Sequence, residues 1–346
     1  MNNTNLFKHA PKELSTDAFI TWLLYFLDSN PEYKEQKQLF FNKLLLKSED
    51  NDRPVRNIEI KRQSTNQHGR PDILLHFHFE EEKDKKQTIL FENKTWSTTN
   101  HIQLDGYKKG YPNTYRYIYL KLAYVNHFEE KLTKSFFYDI ITVHELSETL
   151  SRIKDIHPFV AHYLEYIDQT FKSFIDQIPE NLFFIHDYSI LGEEKGQAQQ
   201  YLIDLIYKEL DGKVEKLCFL NGSSSGRPWT QLTISEKPNI YGKLSEKVFW
   251  RVDIRSGKFY IRLNQYSYIT DEFKSLKMER LNKLRIIAND ILKEYPFLNI
   301  GNHLEKGIKE SEIVIFFLED NDLNELFRIL PEFSIKFNEM YENSLF

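Results

Sequence analysis

Cysteine is nearly absent: of 346 residues, only Cys218 carries a thiol. One thiol excludes an internal disulfide and any cysteine-rich zinc site, and it fits a reducing compartment. Glycine and proline are scarce too, at 12 and 11 residues, which removes collagen-like, linker-like and low-complexity readings. Long apolar runs are missing. The longest, Phe19 to Leu27, contains Thr21 and falls far short of the roughly 20 residues that span a bilayer. The first residues show no basic segment leading into an apolar one, so the expectation is a cytoplasmic chain with no secretion signal and no membrane contact. Nor is positive charge in excess. Lys and Arg number 46 against 51 Asp and Glu, a formal net charge of -5. The overall field does not steer such a protein onto a polyanion, so any contact of that kind must come from a local patch.

What the chain does have is apolar and aromatic material. Hydrophobic residues make up 41% and charged residues 28%, an ordinary globular balance, and 27 Phe and 20 Tyr supply a large core. At roughly 150 residues per domain, the length predicts two domains. A helix is expected from Glu13 to Asp28, ending before Pro31, and a second from Tyr33 to Lys47. Strands fit Val55 to Arg62, Asp72 to Phe79 and Thr88 to Lys94, then a helix over Asn100 to Lys109, then strands Tyr115 to Tyr124 and Phe136 to Val143. Helical sequence dominates from His144 to Asp211. The texture then changes to short strands (Leu217 to Leu220, Trp229 to Ile234, Val248 to Arg255, Lys258 to Leu263). The last two are joined by an Arg255-Ser256-Gly257 hairpin. A helix from Asp271 to Glu294, a strand from Glu312 to Phe317 and terminal helices close the chain. The reading is α/β, with domains over 1–210 and 211–346 and an α+β C-terminal region.

The second and third strands carry the chemistry. They are joined by the solvated run EEEKDKK, which predicts an antiparallel hairpin. The first strand opens Gly69-Arg70-Pro71-Asp72 and the second ends Glu92-Asn93-Lys94. Side chains alternate along a strand, so Glu92 and Lys94 share a face while Asn93 points the other way. A turn centred near Lys83 places Asp72 opposite Lys94, with Glu92 one step along. Taken singly, an E-x-K is a solvated strand face and an Asp after Pro a turn residue. Two carboxylates and a lysine together at one sheet edge instead suit a Mg²⁺ (or Mn²⁺) site, because such a hard cation uses one or two carboxylates plus phosphate oxygens. The bound ion would polarise a phosphodiester and acidify water, while Lys94 would orient that water and offset developing charge.

GRPDILL, then LFENK, then Gln103-Leu104-Asp105-Gly106-Tyr107 resembles the PD-(D/E)XK nuclease superfamily. More closely, it resembles a bacterial subfamily with G-R-x-D-I-L, E-N-K and Q-L-x-x-Y motifs. The first helix, Lys12-Glu13-Leu14 through Trp22-Leu23-Leu24, matches its acidic opening before an apolar block. The resemblance covers roughly 11–125. It implies a restriction-endonuclease-like mixed sheet flanked by helices and a metal-dependent endonuclease acting on nucleic acid, DNA above all, of a kind associated with restriction or phage defence. It further implies Asp72 and Glu92 as metal ligands, Lys94 as the catalytic lysine and the Asn93 carbonyl as a further ligand. Glu13 would approach the metal from the side, and Gln103 would orient substrate or support Lys94. Glu13 shares its helix face with Asp17 and the apolar Ile20, Leu24 and Leu27, so a buried carboxylate there needs a partner; the alternative is a simple preference for the helix N-terminus.

Other candidates are weaker. Arg70 and His68 flank the hairpin entrance, and Lys108 and Lys109 with Arg116 and Lys121 make a modest basic cluster for phosphate. His76 and His78 alternate like a metal pair but lack a third ligand, and read as half-buried strand histidines. Trp96 reads as core rather than a base-stacking platform, and Cys218 as a buried small hydrophobe. Two alternatives stand beside the nuclease: a catalytically inactive binding protein that keeps the fold, and a phosphodiesterase acting on RNA or a signalling nucleotide. Oligomerisation or a protein partner would fall to the C-terminal region.

Overall fold

A computed structural model describes residues 5–9, 12–63, 65–82, 84–178, 193–224, 227–241, 244–255, 258–267, 271–301 and 309–343. The chain forms two compact units, Met1–Val125 with Glu129–Gln177, and Asn126–Phe128 with Ile178–Phe346.

The first unit is built on a five-stranded mixed sheet in the order β1-β2-β3-β4-β5. β1 (Val55–Arg62), β2 (Ile73–Phe79) and β3 (Lys86–Lys94) form an antiparallel meander. β4 (Arg116–Lys121) and β5 (Tyr138–Thr142) then run parallel to β3. Parallel neighbours require crossovers, and α3 (His101–Gly110) and α4 (His127–Ser135) occur in those two connections. The two faces of the sheet bury different sets of residues. One presents Ile73, Leu75, Phe77, Phe79, Ile89 and Phe91, which pack with Phe19, Ile20, Leu23 and Leu24 of α1 (Lys12–Ser29). The same cluster takes in α5 (Val143–Ser151) and α6 (Pro158–Ile167) through Leu146, Leu150, Val160 and Tyr163. The other face presents Leu74, Leu90, Tyr117, Tyr119 and Tyr138 to Leu104 and Tyr107 of α3. This alternation follows from the period of two along each strand, which leaves both faces of ILLHFHF with something to bury.

The expected helix over Tyr33 to Lys47 is an α-helix, α2 (Lys34–Phe40), that widens into a π-helical segment from Phe41 to Leu45. α7 (Ser173–Gln177) ends the first unit.

The second unit holds an antiparallel sheet of β6 (Cys218–Ser224), β7 (Arg227–Tyr241), β8 (Leu244–Arg255), β9 (Lys258–Tyr266) and β10 (Glu310–Phe317), in the order β10-β9-β8-β7-β6. It packs with α8 (Glu193–Leu210), α9 (Lys274–Leu292) and α10 (Leu323–Asn343). Trp250, fully buried, donates to Ser334 Oγ at 2.7 Å. The chain divides at 177/178 rather than 210/211, because α8 packs on β7 and β8. Helical sequence runs up to α8 with no compositional linker to mark the change. β7 is far longer than Trp229 to Ile234, since a register shift after Thr233 lets the polar stretch Ser235 to Lys237 stay paired where alternation fails. Ser256 and Gly257 of the expected hairpin lie outside the described residues, although Arg255 and Lys258 pair as such a turn requires. Cys218 is exposed, not buried: it opens the edge strand β6, where Phe219 faces the core and Cys218 and Leu220 face out. Among the described residues no helix is long and apolar enough to cross a membrane.

Phe77 is fully buried with its ring against Phe41, Phe79 and Tyr115. Phe77→Ala should therefore cost about 3–5 kcal/mol of first-unit stability in denaturant melts; a loss below about 1 kcal/mol would contradict the packing described.

Candidate metal site at the β2–β3 hairpin

The hairpin turns at Glu82, with the Glu82 amide bonded to Phe79 O and the Lys85 amide to Glu82 O. β3 therefore starts at Lys86, and the register places Ile73 opposite Phe91. The next step brings Asp72 beside Glu92 rather than Lys94. This shift of two residues keeps every side chain on its expected face and puts the two carboxylates directly abreast.

β2 begins one residue after Asp72, so the ladder lacks a β2 amide or carbonyl there. The half-buried Asp72 carboxylate takes its place, accepting the Asn93 N–H at 2.8 Å on Oδ2. The Asn93 carbonyl faces the same side as its N–H, as in any strand. The Asn93 side chain projects to the opposite face, where its Nδ2 donates to Asp17 Oδ1 at 3.0 Å and ties α1 to the end of β3. Asp17 is only 2% exposed. It is thus an anchor beneath the site and not merely a helix-start acid.

Glu92 is 1% exposed and sits on the face lined by Leu74, Leu90, Tyr107 and Tyr119. Its Oε1 pairs with Lys94 and accepts Gln103 Nε2 at 2.6 Å. Its Oε2 is buried with no hydrogen-bond partner. Burial pushes the carboxyl up from the ordinary 4.5 to about 7; the Lys94 charge opposes the rise and the Asp72 charge adds to it. A buried carboxylate with one oxygen doubly bonded to donors and the other unserved is unstable by itself and suited to a cation.

Gln103 is held on all sides. Asn100 caps α3 by accepting the Gln103 N–H at 3.0 Å, and Thr99 Oγ1 donates to Gln103 Oε1 at 3.3 Å. The Nε2 then serves both Glu92 and the Tyr107 hydroxyl, the latter at 3.0 Å, and Tyr107 donates onward to Arg70 O at 2.9 Å. Burial and the Glu92 charge push the Tyr107 hydroxyl up, so it stays a donor. The amide orientation of Gln103 follows from this one-way chain. Tyr107 and Thr99 had no assigned role in the sequence; the signal for Tyr107 is its i,i+4 spacing from Gln103.

The remaining candidates separate. Glu13 lies in α1, but its side chain falls outside the described residues. Arg70 is exposed and its guanidinium contacts Gln63 Oε1. The expected basic cluster is dispersed by pairing. Lys108 lies over the Tyr117 ring at 3.9 Å, and Lys109 pairs with Asp105 at 2.5 Å. Arg116 pairs with Asp139 at 2.7 Å and also donates to Leu44 O and Leu46 O. Lys121 is fully buried, bonded to Ser97 O at 2.6 Å and Glu129 at 3.2 Å, with Tyr119 donating to the same carboxylate. Alternation along β4 puts Lys121 on the inner face, which a count of basic residues does not register. His76 is half-buried and bonded to Thr88 Oγ1 at 2.9 Å, and Trp96 packs on Phe171 at 4.9 Å.

Among the described residues, no three His, Cys, Asp or Glu side chains cluster as a ready metal cage. The donor set fits Mg²⁺ or Mn²⁺ all the same. Two abreast carboxylates, an orphaned Glu92 oxygen and a strand-end carbonyl are hard oxygen donors, and Mg²⁺ keeps several waters in its shell. The chain matches no protein-family model, no curated protein and no solved structure.

The Glu92 shift has a stability consequence. The folded chain favours the protonated carboxyl, so the stabilisation is complete below about pH 4.5 and lost as pH rises through about 7. Glu92→Gln should lose that dependence and gain about 3 kcal/mol on wild type between acid and mildly alkaline pH in denaturant melts. Parallel curves for the two proteins would contradict a burial-driven shift.

Proposed function

We propose that the first unit is a restriction-endonuclease-like core and that the chain is a Mg²⁺- or Mn²⁺-dependent nuclease hydrolysing phosphodiester bonds, those of DNA above all. The observation that carries this reading is the buried Glu92, with its unserved Oε2, set abreast of Asp72 at the end of the hairpin. The family resemblance of the GRPD, ENK and QLDGY segments points the same way. A structural ion pair would not need a second carboxylate beside it, nor leave an oxygen without a donor.

Asp72, Glu92 and the Asn93 carbonyl are the groups that would hold the cation. When bound, it would polarise the scissile phosphate and lower the pKa of a water. The protein's own residues do the rest. Gln103 occupies Glu92 Oε1 and so keeps Oε2 as the oxygen left for a ligand. Asp17 and Asn93 fix the strand end from the opposite face, which keeps the carboxylates from drifting apart. Lys94, 14% exposed at the side chain, is the ammonium at the site. It pairs with Glu92 in the free protein and would hold the attacking water and offset charge on the phosphate oxygens. Glu92 must be ionised to hold the cation, so cation affinity should rise as pH passes about 7.

The direct test incubates wild type, Asp72→Ala and Lys94→Ala with plasmid, linear duplex, single-stranded DNA and RNA, in Mg²⁺, in Mn²⁺ and in EDTA. Metal-dependent cutting should fall about 10²–10⁴-fold in each variant with the fold retained. Cutting that persists in EDTA, or at wild-type rate in either variant, would end the assignment.

A further inference from the structure

The connection from β1 to β2 is polar and largely exposed, yet among its described residues Gln63, Asn66, His68 and Gly69 are held by specific hydrogen bonds. The Gln63 amide bonds Asp72 O at 2.9 Å, and Asn66 and Gly69 exchange backbone bonds of 3.0 and 3.3 Å. The His68 amide closes onto Asn66 Oδ1 at 2.8 Å. The turn is then pressed onto α3 at glycines. A Cβ at Gly106 would lie 2.5 Å from the His68 carbonyl oxygen, and one at Gly110 would lie 2.8 Å from Asn66 Nδ2. Gly69 itself adopts φ +138° with its α-carbon against the Tyr107 ring. At Gly106, which faces a backbone carbonyl, and at Gly69, with its positive φ, only glycine allows so close an approach.

Rigidity of this kind stabilises little by itself, since the side chains Gln67, His68 and Arg70 are polar and exposed. It matters if the turn must meet a ligand in a set position. The turn is also coupled to the carboxylate site: Arg70 O accepts from Tyr107, which accepts from Gln103, which donates to Glu92. Between Lys61 and Pro71 the chain carries Lys61, Arg62, His68 and Arg70 and no acidic residue, in a protein that is acidic overall.

We propose that the Asn66–Arg70 turn is the contact for the phosphodiester backbone of the substrate strand beside the cleaved bond, with Arg70 as the phosphate-binding side chain and Gly106 and Gly110 as the seat that sets its distance from Glu92. This rests on the nuclease reading and adds to it where the substrate lies. A guanidinium suits a tetrahedral phosphate because its planar fork offers two parallel donors, and the fixed backbone removes part of the ordering cost.

The test is fluorescence anisotropy of the full chain with a short labelled DNA duplex, and with one of its single strands, in EDTA over a salt series. Mn²⁺ binding is measured alongside. Arg70→Ala should bind the probe several-fold more weakly and reduce the slope of log K against log salt by about 1, the signature of one lost phosphate contact. Gly106→Ala, which alters no group that meets substrate and places a better helix former in α3, should show the same loss because the turn is displaced. Arg70→Ala, which keeps the Arg70 carbonyl that Tyr107 holds, should keep wild-type Mn²⁺ binding. Wild-type affinity and salt slope in Arg70→Ala, with Mn²⁺ binding and cutting intact, would overturn the contact and leave the nuclease reading standing. A wild-type slope in Gly106→Ala alone would overturn the seat. A wild-type protein that binds neither Mn²⁺ nor probe removes the inference together with the reading beneath it.

Discussion

The arrangement of the first unit turns on one costly placement, the burial of the Glu92 carboxylate at the end of a central strand. A charge without water must be served by donors, and here Lys94 and Gln103 both serve one oxygen. The other oxygen is left to whatever binds. Much of the local structure follows from holding that group in place. α3 is capped by Asn100 so that Gln103 starts its first turn facing β3, and Thr99 and Tyr107 fix the amide from both sides. Sites of this type trade stability for readiness, since the carboxylate that costs most in the free protein is the one a cation would use.

The two sheet faces divide the labour. On the α1 side, Asn93 and Asp17 make a buried polar bridge within an apolar layer, which fixes α1 against β3. On the α3 side, burial raises the Glu92 pKa, while Lys94 and the Tyr107 hydroxyl oppose the rise. One strand, β3, thus sends alternate residues into both layers, and Glu92, Asn93 and Lys94 supply a buried carboxylate, a structural anchor and an ammonium within three positions.

The hairpin was legible because its signals are local: alternation, a charged turn and polar residues where apolar strands end. Which face Glu92, Asn93 and Lys94 take could be read from period two alone, and survives the shift of register by two. What could not be read depends on distant packing. Lys121 looks like a surface cation in the sequence but is buried against Glu129, because β4 is covered on both faces. Asp17 looks like a helix-start residue until Asn93 is placed beside it. The division between the units was misplaced because nothing in the composition of α8 tells which sheet it covers. Cys218 was misread for the opposite reason: a short apolar run on an edge strand buries only alternate residues.

The central claim is that Glu92 and Asp72 form a divalent-cation site rather than a structural ion pair. Titration of Mn²⁺ into the full chain at mildly alkaline pH, followed by electron paramagnetic resonance, tests it without a substrate. The account predicts one bound Mn²⁺ per chain, lost in Glu92→Gln while the far-ultraviolet circular dichroism stays that of wild type. Absence of binding, or binding that survives in that variant, would contradict it.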